Sequence, residues 1–127
     1  MTFLHRHKAK RTVIDGISFP SRTEAELYSY LRLLEKAGQI YNLEMQVKVE
    51  PEVCKSCGVR AAPSVKVDFK FDELLPDGLH QTVYAEAKGL ETDRWKAFLN
   101  WWRHSGPCVL RIYNFNKRLK LIEEVRP

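Results

Sequence analysis

The sequence predicts an α/β domain with a mixed central sheet, its elements running helix, three strands, helix, then one or two closing strands. Three observations predict it. Leu27, Tyr28, Leu31 and Leu34 recur at helical spacing, and so do Trp95, Phe98, Leu99 and Trp102 further along. Between these stripes, three stretches alternate apolar and polar residues with the period of two that a pleated strand imposes. A chain of 127 residues, 44% hydrophobic and 29% charged, has the composition of an ordinary globular domain and a length that suits one core.

Residues 1–11 contain HRHKAKR, a run with four cations and almost nothing apolar, and read as a basic arm; residues 12–127 form the single domain. The arm is either a solvated terminus or a segment that lies along a phosphate backbone through Arg6, Lys8, Lys10 and Arg11. In TVIDGISF, Asp15-Gly16 between two short apolar runs signals a tight hairpin. Ser21 is a good N-cap for the first helix and Gly38 a good terminator. At about 100° per residue, Glu24 falls on the buried stripe and Glu26 on the opposite face. A carboxylate facing the core is costly unless satisfied. Either Glu24 bonds the N–H of its own cap, as the Ser21-x-x-Glu24 spacing allows, or it faces a site on the sheet.

The first long strand sets Leu43, Met45, Val47 and Val49 against Glu44, Gln46, Lys48 and Glu50. The second puts Val65, Val67, Phe69 and Phe71 on one face and Lys66, Asp68 and Lys70 on the other. Pro76-Asp77-Gly78 marks the next turn. The third strand, QTVYAEAK, puts Val83, Ala85 and Ala87 on one face and Tyr84, Glu86 and Lys88 on the other. Gly106-Pro107 ends the second helix, and CVLRIYNF and LKLIEEV read as the closing strands.

A net charge of +5 favours polyanionic partners without naming one. No apolar run approaches the roughly 20 residues of a membrane span. The absence of a signal-like apolar segment makes a cytoplasmic location the expectation. Three cysteines, an odd number, argue against a disulfide framework.

The residues that carry chemistry lie on the second hairpin. Asp68 and Glu86 are equally distant from Asp77, so a symmetric hairpin sets them opposite one another, with Lys88 two residues on. Opposed side chains have Cβ atoms about 4.5–5.5 Å apart, and like charges so placed destabilise a sheet. Either neighbouring lysines neutralise them, or a divalent metal does; Mg²⁺ takes oxygens from one or two carboxylates and keeps waters and substrate phosphate for its other positions. In the second case the ion activates a water for phosphodiester hydrolysis, and Lys88 orients that water or offsets developing charge.

VDFKF followed by AEAKG resembles the PD-(D/E)XK nuclease motif, in which an Asp on one strand is followed by Glu-x-Lys on the next. More narrowly, FPSRTEAELY, LEMQ, VDFKF and EAKGLET are similar to a family of small phage and prophage proteins, over about residues 12–103. The proline that names the motif is replaced by Val67. The resemblance implies a restriction-endonuclease-like core and a Mg²⁺- or Mn²⁺-dependent DNA endonuclease. It implies Glu24, Asp68, Glu86 and Lys88 as the catalytic set, with Gln46 in support. Asp68, Glu86 and the Ala87 carbonyl would hold the metal, with Glu24 reaching it through water. Phage members of this superfamily include dimeric resolvases of four-way (Holliday) junctions. A homodimer acting on branched DNA is therefore the expectation, with a transposase-like end cutter as another nuclease reading.

Three further features stand apart. Cys54-Lys-Ser-Cys57-Gly58 is half of a zinc knuckle, its missing ligands to come from Cys108, His80, the N-terminal histidines or a second subunit; the other reading is a polar loop with two free thiols. Lys66, Lys70, Arg94 and Lys96 are candidate phosphate contacts or ordinary solvated side chains. Trp101 lies off its helix stripe, to stack on a base, join a dimer interface or cover a loop. A protein that binds nucleic acid without cutting it, through the knuckle and the basic arm, is the rival reading.

Overall fold

A computed structural model describes residues 11–127; Arg6, Lys8 and Lys10 lie outside the described residues. Strands β1 (Thr12–Ile14) and β2 (Ile17–Phe19) form a small hairpin, followed by helix α1 (Arg22–Lys36). Strands β3 (Ile40–Val49), β4 (Val65–Leu74) and β5 (His80–Ala87) come next, then helix α2 (Asp93–Ser105). Strands β6 (Val109–Asn116) and β7 (Arg118–Val125) close the fold. The main sheet has the order β3-β4-β5-β6-β7, with β5 and β6 parallel and every other neighbour antiparallel. The α/β class and mixed sheet expected from the sequence are therefore present. The parallel pair needs a long connection, and α2 supplies it.

Local chemistry accounts for the boundaries. Asp15 and Gly16 both have positive φ, 53° and 77°, the backbone that a two-residue hairpin turn demands. Ser21 caps α1, its Oγ accepting the Glu24 N–H at 3.2 Å. At the other end the Gly38 N–H donates to the Glu35 carbonyl and the Gln39 N–H to that of Leu34, with Gly38 at φ 75°. This pair of bonds satisfies carbonyls that the helix leaves free. Thr92 caps α2 by accepting the Trp95 N–H at 3.1 Å.

Each helix covers one face of the sheet. On the α1 side, Ala25, Leu27, Tyr28 and Leu31 pack with Phe19, Phe69, Phe71, Val83, Ala85 and Tyr113. On the α2 side, Phe98, Leu99 and Trp102 pack with Val67, Tyr84, Leu110 and Ile112. Trp102 is fully buried, edge-on to Tyr84 at 5.1 Å, and its indole N–H donates to the Cys108 carbonyl. Neighbouring residues of β5 alternate between the two cores, as a pleated strand requires.

Strands β3 and β4 do not alternate throughout, which corrects the expected faces. Met45, Phe69 and Phe71 belong to the α1 side, whereas Val47, Val49, Val65 and Val67 belong to the α2 side. Both strands change face where Gln46 and Asp68 stand, each between the two groups. Gln46 has φ 53°, a left-handed backbone inside a strand, and that residue breaks the alternation of β3. Nothing in the apolar pattern announces it.

Asp72 and Glu73 tie β4 to its surroundings. Both lie within β4. Asp72 accepts from Asn42 and Thr82 at 2.9 Å. Glu73 pairs with Arg111 through two bonds of 2.7 and 2.8 Å.

The strained backbone at Gln46 gives a direct test. Gln46→Ala and Gln46→Gly both remove the side-chain amide, but only glycine accepts a positive φ without a Cβ clash. The glycine variant should be the more stable by about 1 kcal/mol. Urea unfolding of the two proteins checks this, and the reverse order would rule out the left-handed residue.

Candidate active site

The β4–β5 ladder runs from Leu74 opposite His80 to Phe69 opposite Ala85, a register symmetric about Asp77. Asp68 and Glu86 stand one step beyond its last pair. There, carboxylates replace carbonyls as the acceptors of backbone hydrogen. The Asp68 N–H donates to Glu86 Oε1 at 3.0 Å, and the Ala87 N–H donates to Asp68 Oδ2 at 2.9 Å. Side chains thus occupy the line along which two strands would otherwise bond, and the strands part beyond it.

Gln46 extends this arrangement to the helix. Its amide nitrogen donates to Asp68 Oδ1 at 3.3 Å and to Glu24 Oε2 at 3.2 Å. The two readings of Glu24 are therefore separated: the cap takes its backbone N–H, while its carboxylate turns to the sheet. Glu24 and Asp68 are 7% and 9% exposed, the two buried charged residues among those described. Glu24, Gln46, Asp68 and Glu86 form one hydrogen-bonded chain from three strands and a helix. Lys88 is exposed just past the end of β5, its N–H donating to the Tyr113 carbonyl at 2.7 Å.

A cleft of about 830 Å³ opens where β4 and β5 part. Glu86 and Lys88 line it together, joined by Lys48, Lys66 and Arg94. Leu90, Trp95, Leu99, Ile112 and Ile122 supply an apolar wall. Of the basic residues singled out from the sequence, Lys66 and Arg94 reach this cleft. Lys70 lies over the Tyr84 ring, 5.6 Å from its centre, Lys96 is an exposed residue of α2, and Arg11 bonds Ser18. Lys48 was missed, although it alternates on β3 like any strand lysine. Asn114 and Ile122 were missed for a different reason: β6 and β7 reach the site by sheet order, which local sequence does not encode.

Electrostatics single out the acids. Burial, then the Asp68 charge, pushes the Glu86 carboxyl up to about 9. Burial, then the same charge, raises Glu24 to about 7, against the lowering effect of the Gln46 amide. Asp68 is raised by burial and held back by the Ala87 N–H and Gln46. The cluster thus carries more acid than its surroundings stabilise as anions, and it satisfies itself with protons or with a cation. Among the described residues, no three His, Cys, Asp or Glu side chains converge to hold an ion by themselves. The two carboxylates at the fork offer hard oxygen, the donor type that Mg²⁺ takes from a protein, one or two such groups sufficing.

The other expected sites separate from this one. Cys54 and Cys57 are exposed free thiols on the loop between β3 and β4. Hydrogen bonds from Ser56 and Cys57 lower the Cys54 thiol to about 6. Trp101 is half-buried against the α2-side core and donates its indole N–H to Glu52 at 2.9 Å, covering the neighbouring loop.

A pH dependence follows. Below about 4.5 Glu24 and Glu86 are protonated in the folded and unfolded chain alike. As pH rises, the unfolded chain releases these protons and the folded one keeps them, so the metal-free protein loses stability until about pH 9. An ion that replaces the protons offsets this loss. Mg²⁺ or Mn²⁺ should therefore raise the melting temperature above pH 7 and have no effect below about pH 4.5. Scanning calorimetry across pH tests it; an equal shift at all pH values, or one retained in Glu86→Gln, would place the ion elsewhere.

A family model described as "Protein of unknown function (DUF1064)" matches residues 4–97, which include Glu24, Gln46, Asp68, Glu86 and Lys88. No curated protein and no solved structure matches the chain. The chain belongs to the DUF1064 family.

Proposed function

We propose that this protein is a metal-dependent DNA endonuclease of the PD-(D/E)XK type, which hydrolyses phosphodiester bonds in the cleft beside Glu86. The observation that carries the reading is the hydrogen-bonded chain Glu24–Gln46–Asp68–Glu86 at a forked strand pair, with Lys88 in the same cleft as Glu86. A chain of acids reaching a cleft through Glu86 is costly for folding alone, and perturbed acids beside a cleft are the usual mark of a reactive site.

Asp68, Glu86 and the Ala87 carbonyl would hold Mg²⁺ or Mn²⁺, with Glu24 acting through a water. When bound, that ion supplies Lewis acidity and a water of lowered pKa. The chain's own residues do the rest. Gln46 keeps Glu24 and Asp68 in register with one another through its two donated bonds. The Ala87 N–H fixes Asp68 in turn. Lys88, exposed just past the end of β5, orients the attacking water and offsets the charge that develops on the phosphate oxygens. Lys48, Lys66 and Arg94 line the same cleft and suit a sugar–phosphate backbone.

These phosphate contacts read shape rather than sequence, so branched DNA is the first candidate substrate. Labelled linear, single-stranded and four-way-junction DNA, incubated with Mg²⁺, Mn²⁺ or EDTA, test the reading. Lys88→Ala should cut about 100- to 1000-fold more slowly, the cost of losing one donor to developing charge. Asp68→Ala should lose at least as much, and both should still bind DNA. Undiminished cutting by Asp68→Ala refutes the assignment. Binding without cutting in either metal would favour a protein that only holds nucleic acid.

A further inference from the structure

We propose that residues 52–61 form a zinc knuckle that supplies half of a four-sulfur site, the other half being Cys54 and Cys57 of a second copy of this chain. The proposal is independent of the endonuclease reading and concerns a different part of the molecule.

The loop has the backbone of a knuckle. The Cys54 N–H donates to the Val59 carbonyl, and the Gly58 N–H to the Cys54 carbonyl, both at 2.8 Å. Val53 bridges Arg60, and the Ala61 N–H donates to Glu52 at 2.8 Å. Gly58 has φ 73°, which turns the chain directly after Cys57 and which residues with a Cβ rarely adopt. Inside this turn, donors converge on one sulfur. The Ser56 hydroxyl lies 3.2 Å from Cys54 Sγ, the Ser56 and Cys57 N–H groups point to it, and Cys57 is close enough to hydrogen-bond it. Two sulfurs set side by side, one within a nest of N–H groups, form half of a tetrahedral thiolate site.

The loop has no core of its own. Residues 52–61 are all exposed, so burial does not hold the turn in shape. It is anchored at its base, where Pro51 is buried and the Trp101 indole N–H meets Glu52. Hydrogen bonds alone shape the tip, and in so small a unit a bound ion is the usual further constraint. Among the described residues no further His, Cys, Asp or Glu joins the pair, and Cys108 is packed against the α2-side core. Structural zinc takes four ligands. A two-fold axis through one ion brings two identical tips together and completes the set, as a self-complementary contact does. Four thiols lose four protons to solvent as the ion binds, with no change of oxidation state.

Protein purified with a thiol reductant and no chelator should carry one zinc per two chains by elemental analysis. Light scattering should give twice the chain mass of 14.9 kDa. Removing the metal with a strong chelator, or the ligands in Cys54→Ser and Cys57→Ser, should abolish both. Far-ultraviolet circular dichroism should not change, because the loop lies outside both cores. Cobalt loaded in place of zinc should show the strong sulfur-to-metal absorption of a four-thiolate site. One zinc per chain in a monomer would overturn the shared site. So would zinc retained in Cys54→Ser, a Cys54–Cys57 disulfide in place of metal, or no zinc at all.

Discussion

Where β4 and β5 part, two carboxylates accept backbone hydrogens that a regular ladder would give to carbonyls. Much else follows from this exchange. It satisfies the Asp68 and Ala87 amides, so the strands can diverge without leaving buried donors unpaired. It also holds two acids against each other in a half-buried setting, where neither burial nor mutual repulsion favours a second charge. The cleft, the raised acids and the position of Lys88 are consequences of the same local event.

That event needs support from both sides. Gln46 reaches the fork because β3 turns left-handed at that residue. The same turn sends Val47 and Val49 to the α2-side core while Met45 stays on the other. Strain at one residue therefore does two things: it aims an amide at Asp68, and it lets one strand contribute to both cores. Glu24 completes the chain because the Ser21 cap needs only its backbone N–H, leaving the carboxylate free to face the sheet. Strained backbone at a cluster of polar groups is common where function is built, since the surrounding packing must over-determine it.

The two cores hold this arrangement rigidly. Trp102 against Tyr84 and Tyr28 against Phe19 pack the two layers that flank the fork, the second pair with ring centres 5.0 Å apart. The Glu73–Arg111–Glu124 ion-pair group ties β4, β6 and β7 together, partly buried and with direct bonds. Well-paired charges of this kind contrast with the acids at the fork, which have no basic partner among the described residues. The molecule thus neutralises one half-buried charge group with a cation and leaves the group at the fork without one.

What sequence alone determined was local and periodic: the two helix stripes, the caps at Ser21 and Gly38, and the turns at Asp15-Gly16 and Pro76-Asp77-Gly78. It also determined the opposed register of Asp68 and Glu86, because a hairpin of known turn maps every residue to its partner by counting. The side of the sheet on which residues fall was legible for β5, where alternation holds, and illegible for β3 and β4. In β3 the left-handed Gln46 shifts the pattern, glutamine carrying no propensity that signals it, and β4 changes face beside it at Asp68. The pairing of Glu73 was equally illegible, because its partner Arg111 is 38 positions away. Only the tertiary structure decided which strands lie beside the cleft, since order within a sheet is set by long-range pairing and by the crossover through α2. Short-range preferences fix how a segment bends; which segments meet depends on the burial of faces that no single window of sequence contains.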